Sequence, residues 1–219
     1  MATGRGEFIQ VLIRTLMNYR EFVGIDTSDR SVAFASQAFA TEPVRIEQMD
    51  ATSMTFDDES FDTVAISNSL HHMNQLDDVL SEMCRVLRTG GNFLVREMIC
   101  DSDQSPEQLT HVLLHHWWGK VDTCLGITHR PTYTRAQLDA LLRQPALQGR
   151  ETIEFTFPVE DPRDPEIVER LVQMMDPYVE RIREHEDYEQ LRIEGESLKI
   201  RLREVGYAPA RTVFFFGTK

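Results

Sequence analysis

Two glycines, Gly4 and Gly6, sit in the opening run ATGRGEF and are followed at once by a helical pattern. Glycine at such a junction lets the backbone come close to a ligand, and the free amides of the helix start point at it. Asp26 ends the next apolar run, FVGIDTS, about 20 residues further on, the spacing at which a carboxylate receives the two hydroxyls of a ribose. A second acid, Asp50, ends the run VRIEQMDA and is followed by the small Ala51, which places an acceptor where the amino group of a base could pair. After the third run, FDTVAISNS, comes SNSLHHM, with Asn68, His71 and His72. Ligands of open parallel sheets collect at the carboxyl ends of the strands, so three strand ends converge on one crevice. A dinucleotide fingerprint needs a third glycine where Ile9 stands, which disfavours a nicotinamide cofactor.

These residues need a scaffold of alternating strands and helices. The three runs above and GNFLVREMI read as strands, and Leu76, Val79, Leu80, Met83, Val86 and Leu87 recur at helical spacing between the last two. Asn74 is the expected N-cap of that helix, Asp77 and Asp78 suit its first turn, Arg85 and Arg88 its last, and Gly90-Gly91 its end. From Asp101 to about Gly149 the strand rhythm stops, and SPEQLTHVLLHHWWGKV and TRAQLDALLRQ read as an inserted pair of helices. ETIEFTFPV returns as a strand with Ile153, Phe155 and Phe157 on one face. Asp164 caps a helix with Pro165 at its first position, and the stripe Ile167, Leu171, Met174, Tyr178 and Ile182 is expected to bend or break at Pro177. The mixed-charge run ERIREHEDYEQLR reads as a solvated helical face, Leu198, Leu202 and Val205 as a last helix ended by Gly206, and RTVFFFGTK as a buried closing strand. The fold class is α/β, a Rossmann-like doubly wound, mostly parallel sheet with an antiparallel last strand and a helical insertion. Residues 1–100 form the ligand-binding core, 101–149 a helical cap over an acceptor site, and 150–219 the part that completes the sheet.

The 219 residues, 41% hydrophobic and 27% charged, are enough for one domain with a sizeable core. A formal charge of −13 repels polyanions, so nucleic acid is not an expected partner. No run approaches the roughly 20 apolar residues that span a bilayer, so no membrane partner is expected. Cys84, Cys100 and Cys124 are odd in number and lack CxxC spacing, which suits reduced thiols in a cytoplasmic protein. A homodimer is left open.

Taken in order, ATGRGEF, VGIDTS, QMDA, FDTVAISNSLHHM and EMCRVLRTGGNFLVREM resemble the class I S-adenosylmethionine-dependent methyltransferases, in particular the small-molecule group that includes quinone-biosynthesis enzymes. The resemblance covers residues 1 to about 100. It implies S-adenosylmethionine as cofactor, with Thr3, Gly4 and Gly6 flanking its methionine part and Asp26 holding the ribose. Thr27 would then lie against the adenine, Asp50 would face its amino group beside Ala51, and Asn68 would line the pocket. It implies a small-molecule acceptor methylated by in-line transfer, and the closing VGYAPARTVFFFGTK looks like the family's final antiparallel strand. Two departures stand out: Ala2 occupies a family glycine position, and the family's first strand, with its acidic residue, has no counterpart. Since that strand is central in the family, the strands ending at Asp26 and at Ser69 should lack a common neighbour. Met1 is accordingly expected to be an internal methionine of a chain that starts upstream, the alternative being a short form without cofactor binding.

In-line methyl transfer needs a base only when the acceptor keeps its proton, and His72 is the candidate for that role or for touching the acceptor. His111 and His115 share a helix face at a spacing known from metal pairs, with His116 beside them. No carboxylate completes a zinc signature there, so they read as satisfied or exposed histidines and no metal is expected. Trp117, Trp118 and Tyr133 would suit a flat apolar acceptor, against the plainer reading that they are core. Arg5 reads as solvent-facing or paired with an acid of the loop. The rival functions are a non-catalytic methyltransferase-like scaffold, an NAD-dependent oxidoreductase and a metal-binding protein built on the histidine helix.

Overall fold

The computed structural model describes residues 1–143 and 146–219, so the end of the expected TRAQLDALLRQ helix, at Gln144, lies outside the described residues. In chain order the elements are α1 (Glu7–Thr15), β1 (Phe22–Asp26), α2 (Asp29–Ala38), β2 (Val44–Gln48), β3 (Phe61–Ser67), α3 (Leu76–Val86) and β4 (Leu87–Met98). There follow α4 (Pro106–Cys124), α5 (Arg135–Leu141), β5 (Gln148–Phe155), α6 (Pro165–Val179), α7 (Tyr188–Glu204) and β6 (Thr212–Thr218).

The sheet is in two parts. β1 and β2 pair in parallel, while the second part has the order β3-β4-β6-β5, with β3 and β4 parallel and β6 running against both its neighbours. β6 is the antiparallel closing strand expected from sequence. β1 and β3 do not pair; residues 1–3 reach across instead, the Met1 amino group donating to the Ala65 carbonyl at 2.8 Å and the Thr3 amide to that of Ile25 at 3.0 Å.

The core follows the apolar spacing. Val79, Leu80, Met83 and Val86 of α3 are buried against Ile66 of β3 and Phe93 and Val95 of β4, each such side chain contributing about 1.5–3 kcal/mol. The helix starts after Gln75 rather than Asn74, with no side-chain cap, so the acids Asp77 and Asp78 alone serve its positive end. Nor do Gly90 and Gly91 end it. The chain turns directly from Val86 into β4, and the glycines lie inside that strand, where its register with β3 slips between Phe61 and Thr63. Gly90 has φ +76°, and a Cβ on Gly91 would come within 2.9 Å of the Asp62 carbonyl, so the pair makes a bulge.

A second hydrophobic cluster forms where α4, α6 and α7 meet around Trp117, with Leu114, Val172, Met175 and Leu202. α4 starts with a full capping box, Ser105 and Gln108 exchanging bonds around Pro106. α7 comes close because residue 195 is glycine: a Cβ there would stand 2.9 Å from Trp117 Cζ2. Asp164 caps α6 as expected, but the helix runs through Pro177 to Val179 before tightening into a 3₁₀ turn, Glu180–Ile182. The mixed-charge run is therefore part turn and joins α7 only from Tyr188. Ile153 and Phe155 are exposed, because β5 is an edge strand whose face is not covered.

Candidate functional site

The glycine turn is built as its sequence requires. Ala2, Gly4 and Gly6 all have positive φ, at 48°, 54° and 90°. At Gly6 a Cβ would stand 2.4 Å from Cε2 of the buried Phe39, so glycine is demanded by sterics as well as by φ. Gly4 faces open space and donates its amide to Asp26 Oδ2 at 2.8 Å. Asp26 Oδ1 accepts the Ser28 amide at 2.9 Å; each carboxylate oxygen keeps a further lone pair for a ligand. The parallel register Asp26 to Gln48, with the Met49 amide on the Asp26 carbonyl at 3.0 Å, brings Asp50 to the same edge. Asp50 Oδ1 accepts both the amide and the hydroxyl of Thr52 at 2.8 Å, which leaves Oδ2 facing outward on an exposed residue beside buried Ala51. Thr27 is exposed, its carbonyl held by Gln48 Nε2 at 3.2 Å. Arg5 is solvent-facing, its guanidinium 4.0 Å from the Phe34 ring centre rather than on an acid.

Between the two parts of the sheet runs a cavity of about 1210 Å³, walled by the facing edges of β1 and β3, by residues 1–4 and by Phe155, Phe157, Phe214 and Phe216. Of the residues singled out in the sequence, Thr3, Gly4 and Asn68 line it, while Gly6, Asp26, Thr27, Asp50, Ala51 and His72 lie outside its walls. Asn68, at φ 47°, fastens β3 to β4: its amide donates to the Arg96 carbonyl at 2.7 Å and its Oδ1 accepts the Met98 amide at 3.0 Å. Trp117, Trp118 and Tyr133 do not face this cavity. Trp117 donates Nε1 to the Leu191 carbonyl at 2.8 Å within the helical cluster, Trp118 packs on the same cluster, and Tyr133 packs against the core of the sheet.

Just past Asn68 lies a histidine network that the sequence does not announce. Glu97, fully buried in β4, accepts the Ser69 and Leu70 amides on Oε1 at 2.6 and 2.7 Å, and His71 Nδ1 on Oε2 at 3.0 Å. His71 Nε2 lies 3.1 Å from His115 Nε2, which in turn lies 3.0 Å from His129 Nε2. His129 Nδ1 reaches Asp122 Oδ2 at 2.9 Å, and Asp122 Oδ1 accepts the Tyr178 hydroxyl at 2.7 Å and the Arg181 guanidinium at 3.2 Å. Burial pushes the Asp122 carboxyl up, but the hydrogen bonds from His129 and Tyr178 outweigh it and hold the group below its ordinary value. The candidate base His72 has Nδ1 on the Thr128 carbonyl at 3.2 Å; burial, with His71 and His129 close by, lowers its pKa to about 4. The same causes lower His115 to about 2.

The helical histidines thus divide. His111 accepts the Ala210 amide on Nδ1 at 2.8 Å, and burial lowers it to about 4; His116 Nε2 sits 3.0 Å from the Thr132 hydroxyl. Only His115 joins the network. Its partners His129, Glu97 and Asp122 were not singled out in the sequence, since no local spacing connects them.

Residues 1–95 match the family model described as a methyltransferase domain. Demethylmenaquinone methyltransferase of Bacteroides fragilis is 29% identical over 102 residues, covering 45% of this chain and 41% of that protein. The sterol 4-C-methyltransferase strm-1 of Caenorhabditis elegans is 25% identical over 142 residues, covering 63% and 41%. The chain spans less than half the length of these relatives. The solved structure of the YcgJ protein of Bacillus subtilis superposes with a TM-score of 0.62 over 100% of this chain and 89% of that one at 19% identity, a likeness of fold. Residues 1–95, with their glycine turn and the Asp26 and Asp50 strand ends, are therefore similar to methyltransferase domains, and the chain shares its Rossmann-like fold with that solved structure.

Proposed function

We propose that the chain binds S-adenosylmethionine and transfers its methyl group to a small, largely apolar molecule. The observation that carries this reading is the Gly4 amide on the Asp26 carboxylate, with Asp50 at the same edge of the sheet. The donor set suits the group: Asp26 retains lone pairs for ribose hydroxyls, Asp50 Oδ2 an acceptor for an amino group, and the left-handed turn at residues 2–6 leaves room at Gly4 for the amino acid part. When bound, the cofactor supplies a methyl group on a sulfonium, open to in-line displacement. The protein's part is to orient: Asp26 and Asp50 fix the nucleoside end, the turn fixes the other, and Asn68 holds the end of β3 to which both are referred. His72, the base candidate of the sequence, lies outside the cavity walls with Nδ1 on the Thr128 carbonyl and a pKa lowered to about 4, so the proposed transfer assigns it no proton.

A small apolar acceptor is supported by the phenylalanines of the cavity and by relatives named for a quinone precursor and for sterols. Three unpaired thiols suit a reducing compartment such as the cytoplasm, and no helix among the described residues is long and apolar enough to cross a membrane.

Calorimetric titration with S-adenosylhomocysteine tests the reading. The wild-type chain should bind it, and Asp26→Ala should weaken binding by about 1–3 kcal/mol, roughly 5- to 150-fold. A folded wild-type chain that does not bind, or a variant that binds equally well, would overturn the assignment.

A further inference from the structure

We infer that His71, His72, His115 and His129 form a binding site for a divalent first-row transition-metal ion, zinc foremost, at the junction of the sheet and the helical cluster. One ligand atom from each of the four lies within 4.8 Å of all the others. Metal–imidazole bonds of about 2.0–2.1 Å put the nitrogens of a tetrahedral site about 3.3 Å apart. The spacings here, 3.1 Å from His71 to His115 and 3.0 Å from His115 to His129, are within a few tenths of that value.

Counting protons leads the same way. With Glu97 as a carboxylate and His71 neutral, Oε2 accepts the proton of His71 Nδ1, which leaves a lone pair on Nε2. Asp122, with Tyr178 and Arg181 on its other oxygen, imposes the same tautomer on His129. His115 Nε2 therefore faces two lone pairs and has at most one proton to give, so one short N···N contact is left with nothing between its atoms. A cation at the centre accepts the Nε2 lone pairs of His71, His115 and His129 together. The carbonyl of Thr128 on His72 Nδ1 completes the pattern by freeing the fourth Nε2.

Glu97, Asp122 and Thr128 then play the part of outer partners that orient ligating imidazoles and raise their basicity. Four neutral imidazoles select zinc, copper, nickel or cobalt over calcium or magnesium, which prefer oxygen. Four protein ligands close a tetrahedral site, so the ion clamps α4 and the loop carrying His129 to the end of β3 instead of holding an open coordination position.

The test uses the full chain, stripped with a chelator, dialysed and titrated with Zn²⁺ against a chromophoric competitor, with Co²⁺ as a spectroscopic probe. The expected result is one equivalent of tight metal, the intense visible bands of tetrahedral Co²⁺, and a melting temperature raised by Zn²⁺. His115→Gln should abolish the tight site, and Asp122→Asn should weaken it about 10- to 100-fold while keeping the ligands. His111→Gln, one turn away and turned to Ala210, should bind as wild type. No tight binding by the folded wild-type chain would overturn the proposal, whatever the variants do. So would tight binding that survives both His115→Gln and Asp122→Asn, or that vanishes in His185→Ala, which would place the ion on the Cys124, His185 and Asp187 group.

Discussion

Removing Glu97 is the sharpest test of how the end of β3 is held. Glu97→Ala strands three donors, the Ser69 and Leu70 amides and His71 Nδ1, in a place where the carboxylate and the imidazole are both fully buried. Each unmatched buried donor costs about 1–3 kcal/mol, giving roughly 3–9 if they were independent. They share one carboxylate, and water entering the space left by the side chain restores part of the loss. The expected destabilisation is about 3–5 kcal/mol, the lower part of that sum. In a chain of this size that lowers the melting temperature by roughly 6–20 °C. Thermal unfolding followed by circular dichroism in the presence of a chelator reads the effect on the metal-free chain. Glu97→Gln keeps the shape and some acceptor capacity but sets an amide donor among donors, so it should cost a lesser amount, roughly 1–3 kcal/mol. A fall of less than about 3 °C in Glu97→Ala would mean that the three bonds do not hold this segment, and the argument for a fixed His71 tautomer would go with it.

Gly6→Ala must adopt φ +90° and place a methyl 2.4 Å from Phe39 Cε2, so strain and overpacking together should cost about 2–5 kcal/mol in urea unfolding; a loss under about 1 would show that the turn relaxes. His111 gives a pH dependence whose sign follows from burial: its pKa falls from 6.5 to about 4 on folding, so between those values the unfolded chain takes up a proton that the folded chain refuses. Its stability contribution is full above pH 6.5 and lost as pH falls towards 4, by up to about 3 kcal/mol. His111→Gln, which can still accept the Ala210 amide, should flatten the change in unfolding free energy between about pH 7 and 4.5, and an unchanged slope would refute it.

Much of the fold can be read from the chain because its determinants are local. The stripe of α3, the caps Asp164 and Gly206 and the strand ends Asp26 and Asp50 each depend on residues a turn or a strand apart. Misreadings arose where a local signal had two outcomes. Gly90-Gly91 can end a helix or form a bulge, and the strand pairing of β4 with β3 decides for the bulge. Pro177 removes one helical bond, yet Tyr178 and Val179 remain helical because their side chains are held by Asp122 and by the helical cluster. The histidine network could not be read at all. Separations of 26 residues from His71 to Glu97 and 44 from His71 to His115 carry no periodicity, and His129 sits in a loop, where sequence gives no direction to a side chain.

That network also explains how the two larger hydrophobic clusters are coupled. Leu114, Trp117 and Val121 bury α4 among α6 and α7, whereas Ile66, Leu70, Val95 and Ile99 belong to the cluster packed on the sheet. Between them a row of close polar contacts runs from Glu97 in β4 through His71, His115 and His129 to Asp122, then to Tyr178 in α6. Apolar contact alone tolerates sliding of one cluster over the other, because it has no preferred direction. Hydrogen bonds, or ligand bonds to a metal ion, fix distance and angle as well, so the register of the helices on the sheet is set at the same edge where Asn68 ends β3. Held in this way, α4 and the loop carrying His129 keep a fixed position over the end of β3.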